Sequence, residues 1–131
     1  MEIKNLTVRA IIEILGAPKE HVEETMNKIV EMVKKNYAVR DSMIHEAKEM
    51  DKFWSTFVEI ELKIKKVDDL VGFGFDFMPS SIEILEPSRI DTDNLEMNNL
   101  FNDLLARLHQ YDMVLKNLSA QNKLLQKQKK S

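Results

Sequence analysis

The side chains that carry most enzyme chemistry are few in this sequence, and they are scattered. Histidine occurs at positions 21, 45 and 109, and no two of these have the i, i+4 spacing by which a helix offers two imidazoles to one metal ion. His21 and Glu24 can share a helix face, but a single His/Glu pair is ordinary surface decoration. Cysteine is absent, which removes disulfides, thiolate ligands and thiol nucleophiles. Ser80 and Ser81 follow Pro79 without the Gly-x-Ser-x-Gly frame that exposes an activated serine, so they read as turn residues. Gly72-Phe73-Gly74 is shorter than a dinucleotide fingerprint and follows a helix-like stretch, where phosphate cradling requires a preceding strand. No catalytic, metal-binding or cofactor-binding residue is therefore expected, and the protein is read as a non-enzyme.

The elements that would position any site follow from hydrophobic periodicity. Leu6, Val8, Ala10, Ile12 and Ile14 alternate with mostly polar neighbours, a period of two that predicts a strand. It ends at Gly16-Ala17-Pro18, where glycine permits an unusual turn and proline suits a helix start. The helix that follows places Val22, Met26, Ile29, Val30 and Val33 on one stripe, with glutamates early and Lys34 and Lys35 late, in accord with the helix dipole. Residues 37–52 are weakly patterned; Tyr37, Val39 and Ile44 support only an irregular second strand.

Trp54, Thr56, Val58, Ile60, Leu62 and Ile64 define the core side of a third strand. Asp68 and Asp69 sit where helix-start acids belong, and Val67, Leu70, Val71, Phe73 and Phe77 line a short second helix. Gly72 and Gly74 each cost such a helix about 1 kcal/mol relative to alanine, so close packing or a distortion is expected there. Ile82 and Ile84 mark a fourth short strand that closes at Pro87.

The expected order is βαββαβ with an antiparallel sheet, an α+β layout that resembles the ferredoxin-like module. ACT regulatory domains are one group with this fold, and Asp76-Phe77-Met78-Pro79-Ser80-Ser81-Ile82-Glu83-Ile84 resembles the usual lead into their last strand. The layout also resembles uncharacterised archaeal proteins. The likeness to ACT domains implies a ligand loop at Gly16, Ala17 and Pro18, where backbone amides could hold a small anion or an amino acid. The fold hosts many functions, so it transfers no activity by itself.

After Asp91-Thr92-Asp93-Asn94 the pattern changes to heptads. Phe101, Leu108, Leu115 and Asn122 occupy a positions, while Met97, Leu104, Tyr111, Leu118 and Leu125 occupy d. Such a seam predicts a coiled coil, and asparagine at a sets register and favours a parallel pair. Leu100, Leu105 and Val114 widen the stripe in its first half, so residues 95–115 are expected to dock on the module or a bundle, and residues 115–127 to form a narrower paired tail. On the sheet side opposite the core, Ile11, Phe57 and Leu85 would form a small apolar patch.

Composition bounds the remaining choices. The chain of 131 residues, with 44% hydrophobic and 31% charged residues, is expected to form one domain over residues 1–90 and an oligomerisation helix with a basic tail over 91–131. No apolar run reaches a membrane span, and Met1-Glu2-Ile3-Lys4-Asn5 lacks the basic flank and apolar stretch of a signal peptide. A cytoplasmic location without membrane association is expected. The net charge of −3 is too mild to imply a polyanionic partner, and Glu59 and Glu61 beside Phe57 would repel a phosphate backbone, so nucleic acid is not an expected partner. The functional expectation is an adaptor or scaffold that assembles with itself, as a homodimer or higher oligomer, and holds a protein client. The alternative is a ligand-sensing regulatory module of ACT type.

Overall fold

The computed structural model describes residues 5–130, and the chain divides into two compact units, Met1–Thr92 and Asp93–Ser131. In the first, the strand β1 (Leu6–Gly16) leads into helix α1 (Lys19–Asn36), then β2 (Ala38–Ile44), β3 (Lys48–Met50) and β4 (Phe53–Ile64), helix α2 (Val67–Phe77) and β5 (Ser81–Glu86). Among its described residues the second holds one helix, α3 (Asn94–Lys130). The architecture is α+β with an antiparallel sheet and a long C-terminal helix.

The sheet runs β2-β4-β1-β5, with every neighbouring pair antiparallel, and β3 pairs with β4 off this path. The central pair β1·β4 keeps one register over its length, from Leu6 opposite Ile64 to Gly16 opposite Trp54. In-phase alternation makes this possible, because a slip of one residue would turn every apolar side chain to the wrong face. Leu6, Val8, Ala10 and Ile12 are buried beside Val58, Ile60, Leu62 and Ile64.

Both short helices pack on this side of the sheet. Met26, Val30 and Val33 of α1 and Phe73 of α2 join the strand residues in one core cluster, with Ile29, Val67, Leu70 and Phe77 packed at its margin. Lys34 and Lys35 occupy the last turn of α1, where cations complement the dipole. Tyr37 caps this helix and sets its ring edge-on to Phe73, with centroids 5.3 Å apart.

The sheet differs from the sequence expectation where patterning was weak. Among the described residues it has five strands rather than four, because residues 37–52 form two: β2 carries an irregularity between Val39 and Asp41, and β3 folds back on β4 through a turn at Asp51, whose φ is 59°. Gly16 is the last residue of β1 and its φ is not positive, so the turn does not draw on glycine's conformational freedom. At Gly74 an added methyl would meet Ile82 Cδ1 at 4.0 Å, an ordinary contact, so tight packing does not explain that glycine.

Candidate interaction surface on the long helix

The heptad residues of α3 lie on a helix that starts at a defined cap. Asp93 Oδ1 accepts a hydrogen bond from the Glu96 amide at 2.8 Å, and Met97 N donates to Asp93 O at 3.1 Å. The first contact satisfies an amide that has no partner within the helix. It also holds the Asp93 carboxyl below the usual aspartate range, since a hydrogen bond to the ionised form favours that form.

Along the helix the seam is largely open. Phe101, Leu108, Tyr111, Leu118 and Leu125 are exposed, as is Asn122, and Leu115 is 65% exposed; Met97 and Leu104 are half-buried. Leu105 and Val114 beside the seam are exposed too, while Leu100 is half-buried. At 3.6 residues per turn, positions alternating by three and four form one continuous stripe. A stripe this long exceeds what soluble monomers ordinarily leave in water. Beside the seam, Lys116 Nζ meets Asp112 Oδ2 at 2.8 Å in an i, i+4 pair, and this contact raises the lysine pKa.

The chemically suggestive residues of the head stay apart. His21 is exposed on α1, where its carbonyl accepts a hydrogen bond from Thr25 Oγ1; His109 is exposed on α3. His45 stacks on Phe57 across the outer sheet face, with centroids 4.0 Å apart and planes 14° from parallel. Its Nε2 lies 3.8 Å from Glu59 Oε2 and is buried without a hydrogen-bond partner. Ser80 donates from its amide and its hydroxyl to Ile11 O, fastening the α2–β5 connection to β1, and Ser81 pairs with Ile11 in the ladder. Among the described residues no group of three or more His, Asp or Glu is placed to hold a metal ion.

Ala17 and Pro18 are exposed and Gly16 half-buried at the start of α1. Val22 N donates to Pro18 O, and Lys19 lies over the Trp54 ring at 5.2 Å. The opposite end of the β1·β4 ladder carries an open cleft of about 790 Å³, lined among others by Tyr37, Lys63, Lys65, Asp69, Asp76 and Phe77. Sequence reading missed it because its lining comes from four separate segments.

On the sheet face away from the helices, one row across the strands reads Asp41, Glu61, Arg9, Glu83. Arg9 stands between Glu61 and Glu83 in this row, and Asp41 lies beyond Glu61 with its carboxylate accepting from the Ser42 amide. Among the described residues no helix is long and apolar enough to cross a membrane.

A protein-family model, that of the MJ0538 family, matches residues 7–130, covering both the head and the long helix. No curated protein and no solved structure matches the chain. The chain belongs to the MJ0538 family.

Proposed function

We propose that this member of the MJ0538 family is a non-enzymatic adaptor, with a ferredoxin-like head and self-association through α3. The observation that carries the reading is the open apolar seam. Leu108, Tyr111, Leu115 and Leu118 stand exposed in succession on a 37-residue helix, and burying each against a partner would contribute roughly 1.5–3 kcal/mol before association costs. The strand order β2-β4-β1-β5, with a helix after β1 and another after β4, supports the ferredoxin-like reading, β3 being an added hairpin strand. The separation of His21 on α1, His45 in the β2–β3 connection and His109 on α3 supports a binding role over catalysis. The acidic row on the outer sheet face favours a protein client over nucleic acid.

Light scattering on the intact chain tests this reading. A mass of at least twice the chain is expected at micromolar concentration, and a monomer overturns it. Leu115→Lys with Leu118→Lys should reduce the mass to that of one chain while Trp54 fluorescence stays native; an unchanged mass refutes the assigned seam.

A second reading, a small-ligand-sensing module, draws not on the Gly16-Ala17-Pro18 loop that the likeness to ACT domains implies but on the open cleft at the other end of the β1·β4 ladder, beside Tyr37. Its size suits a metabolite, and Lys63 and Lys65 with Asp69 and Asp76 offer both charge signs to it. Thermal-shift screening with amino acids and nucleotides separates the two readings, because a ligand that binds the folded state raises the melting temperature.

A further inference from the structure

We infer that the partner of α3 is a second copy of the same helix, parallel and in register, with Arg107 of each chain paired to Asp112 of the other. The inference rests on the self-association proposed above and adds its orientation, register and strand number.

Each alignment of two α3 helices places different residues side by side. In a parallel, in-register pair, a faces a and d faces d, so Asn122 meets Asn122 of the partner subunit and each amide can satisfy the other. Beside the seam, each g residue faces the next e residue of the other chain. This brings Leu100 to Leu105, Arg107 to Asp112, Val114 to Ser119 and Gln121 to Gln126. One contact joins opposite charges, one joins apolar groups, one joins amides, and none joins like charges. Symmetry provides each of them twice.

The alternatives lose these matches. Sliding one helix by a heptad sets Asn122 against Leu115 or Lys129, leaving a polar amide against an apolar side chain or a charge. An antiparallel pair sets a against d, and the sole polar d residue is Tyr111. Placing Asn122 opposite Tyr111 then puts Leu104 opposite Lys129, and Leu115 opposite Leu118. Flanking contacts in that arrangement run g to g and e to e, so Arg107 falls beside Gln128 and Asp112 beside Ser119. The ion pair is lost and a lysine enters the seam.

The single helix already orients Asp112. Its Oδ2 bonds Lys116 on the following turn at 2.8 Å, and a carboxylate has lone pairs for a second donor. In the pair, Asp112 would lie between its own Lys116 and the partner's Arg107. Asparagine at a favours two strands over three or four.

Because the chain has no cysteine, single cysteines report orientation directly. The full-length Leu118→Cys variant, oxidised mildly, should run predominantly as a covalent dimer on a non-reducing gel, since facing d positions in a parallel pair lie within disulfide reach. Asn122→Cys should do the same at an a position, without loss of a leucine. An antiparallel pair would instead link only when Leu115→Cys and Leu118→Cys chains are mixed, and that result overturns the orientation while leaving self-association intact. A wild-type mass of three or four chains overturns the two-stranded assignment. A monomeric wild-type chain removes the self-association on which the inference stands.

Discussion

Tyr37 sets its ring edge-on to Phe73 at 5.3 Å, with an interplanar angle of 88°, and so joins the end of α1 to the middle of α2. Phe77 completes the group, 5.4 Å from Phe73 and 6.2 Å from Tyr37. Edge-to-face rings gain from the opposite polarity of ring edge and ring face. Phe73 is fully buried, so its loss would leave a cavity that α2 alone cannot close.

Phe73→Ala is therefore expected to destabilise the head by about 3–5 kcal/mol. Tyr37→Leu should cost less, because part of its ring faces the cleft. Urea denaturation followed by Trp54 fluorescence measures both effects, since the chain has one tryptophan and it lies on β4. A cost below 1 kcal/mol for Phe73→Ala would contradict the placement of α2 on the core.

Met78 ends α2 in the left-handed region, with φ 47° and ψ 53°, and its amide donates to Gly74 O at 3.0 Å. A side chain with a Cβ costs roughly 1–2 kcal/mol in that conformation. Met78 is largely exposed, so its replacement forfeits little packing. Met78→Gly should raise stability by about 1 kcal/mol, read from the denaturation midpoint at unchanged slope. Gly74→Ala should also stabilise, by up to about 1 kcal/mol, because a methyl meets only the mobile end of Ile82.

Asp93 predicts a pH response confined to the start of α3. Its carboxyl is held below the usual aspartate range by the hydrogen bond from the Glu96 amide. A lowered folded value means that the capping stabilisation is fully present above the unfolded aspartate pKa and is lost as pH falls through the folded one. The protection of the Glu96 and Met97 amides, taken against their intrinsic exchange rates at each pH, should fall in that acid window. Asp93→Asn should keep the cap and abolish the pH dependence, whereas Asp93→Ala should fray the first turn at every pH. Equal exchange in all three proteins would remove Asp93 from the capping role.

How much was legible in the sequence depends on how each residue set is stabilised. β1 and β4 were readable because burial on one side imposes strict alternation, and α1 because its stripe and its charges agree. β2 was readable only as an irregular strand, since the irregularity before Asp41 breaks the period, and β3 was not readable, since Lys48, Glu49 and Met50 are all exposed. Val39 alone of β2 packs at the margin of the core cluster, so neither strand carries the alternation that marks β1 and β4. The long helix α3 was legible, because a heptad pattern is local. The cleft beside Tyr37 was invisible, since Lys63, Asp76 and Tyr37 meet only after the fold forms.

The pairing of Arg107 with the partner's Asp112 yields a prediction that tests register through charge alone. Arg107→Asp places two acids at facing g and e positions, and Asp112→Arg places two bases there, so each variant alone should self-associate more weakly than the wild type. Mixing them restores an opposite pair at both flanks, and the heterodimer should be favoured over either homodimer. Exposed ion pairs contribute about 0.2–1 kcal/mol each, and two such pairs change sign together, so the preference should reach several-fold at low salt. It should shrink as salt screens the charges. Asp112→Arg also removes the Lys116 contact, which weakens that helix slightly in homodimer and heterodimer alike and cancels from the comparison. Native mass spectrometry of an equimolar mixture, with one chain isotopically labelled, measures the ratio. A statistical distribution at low salt would place Arg107 and Asp112 out of reach of one another and reject the in-register pair.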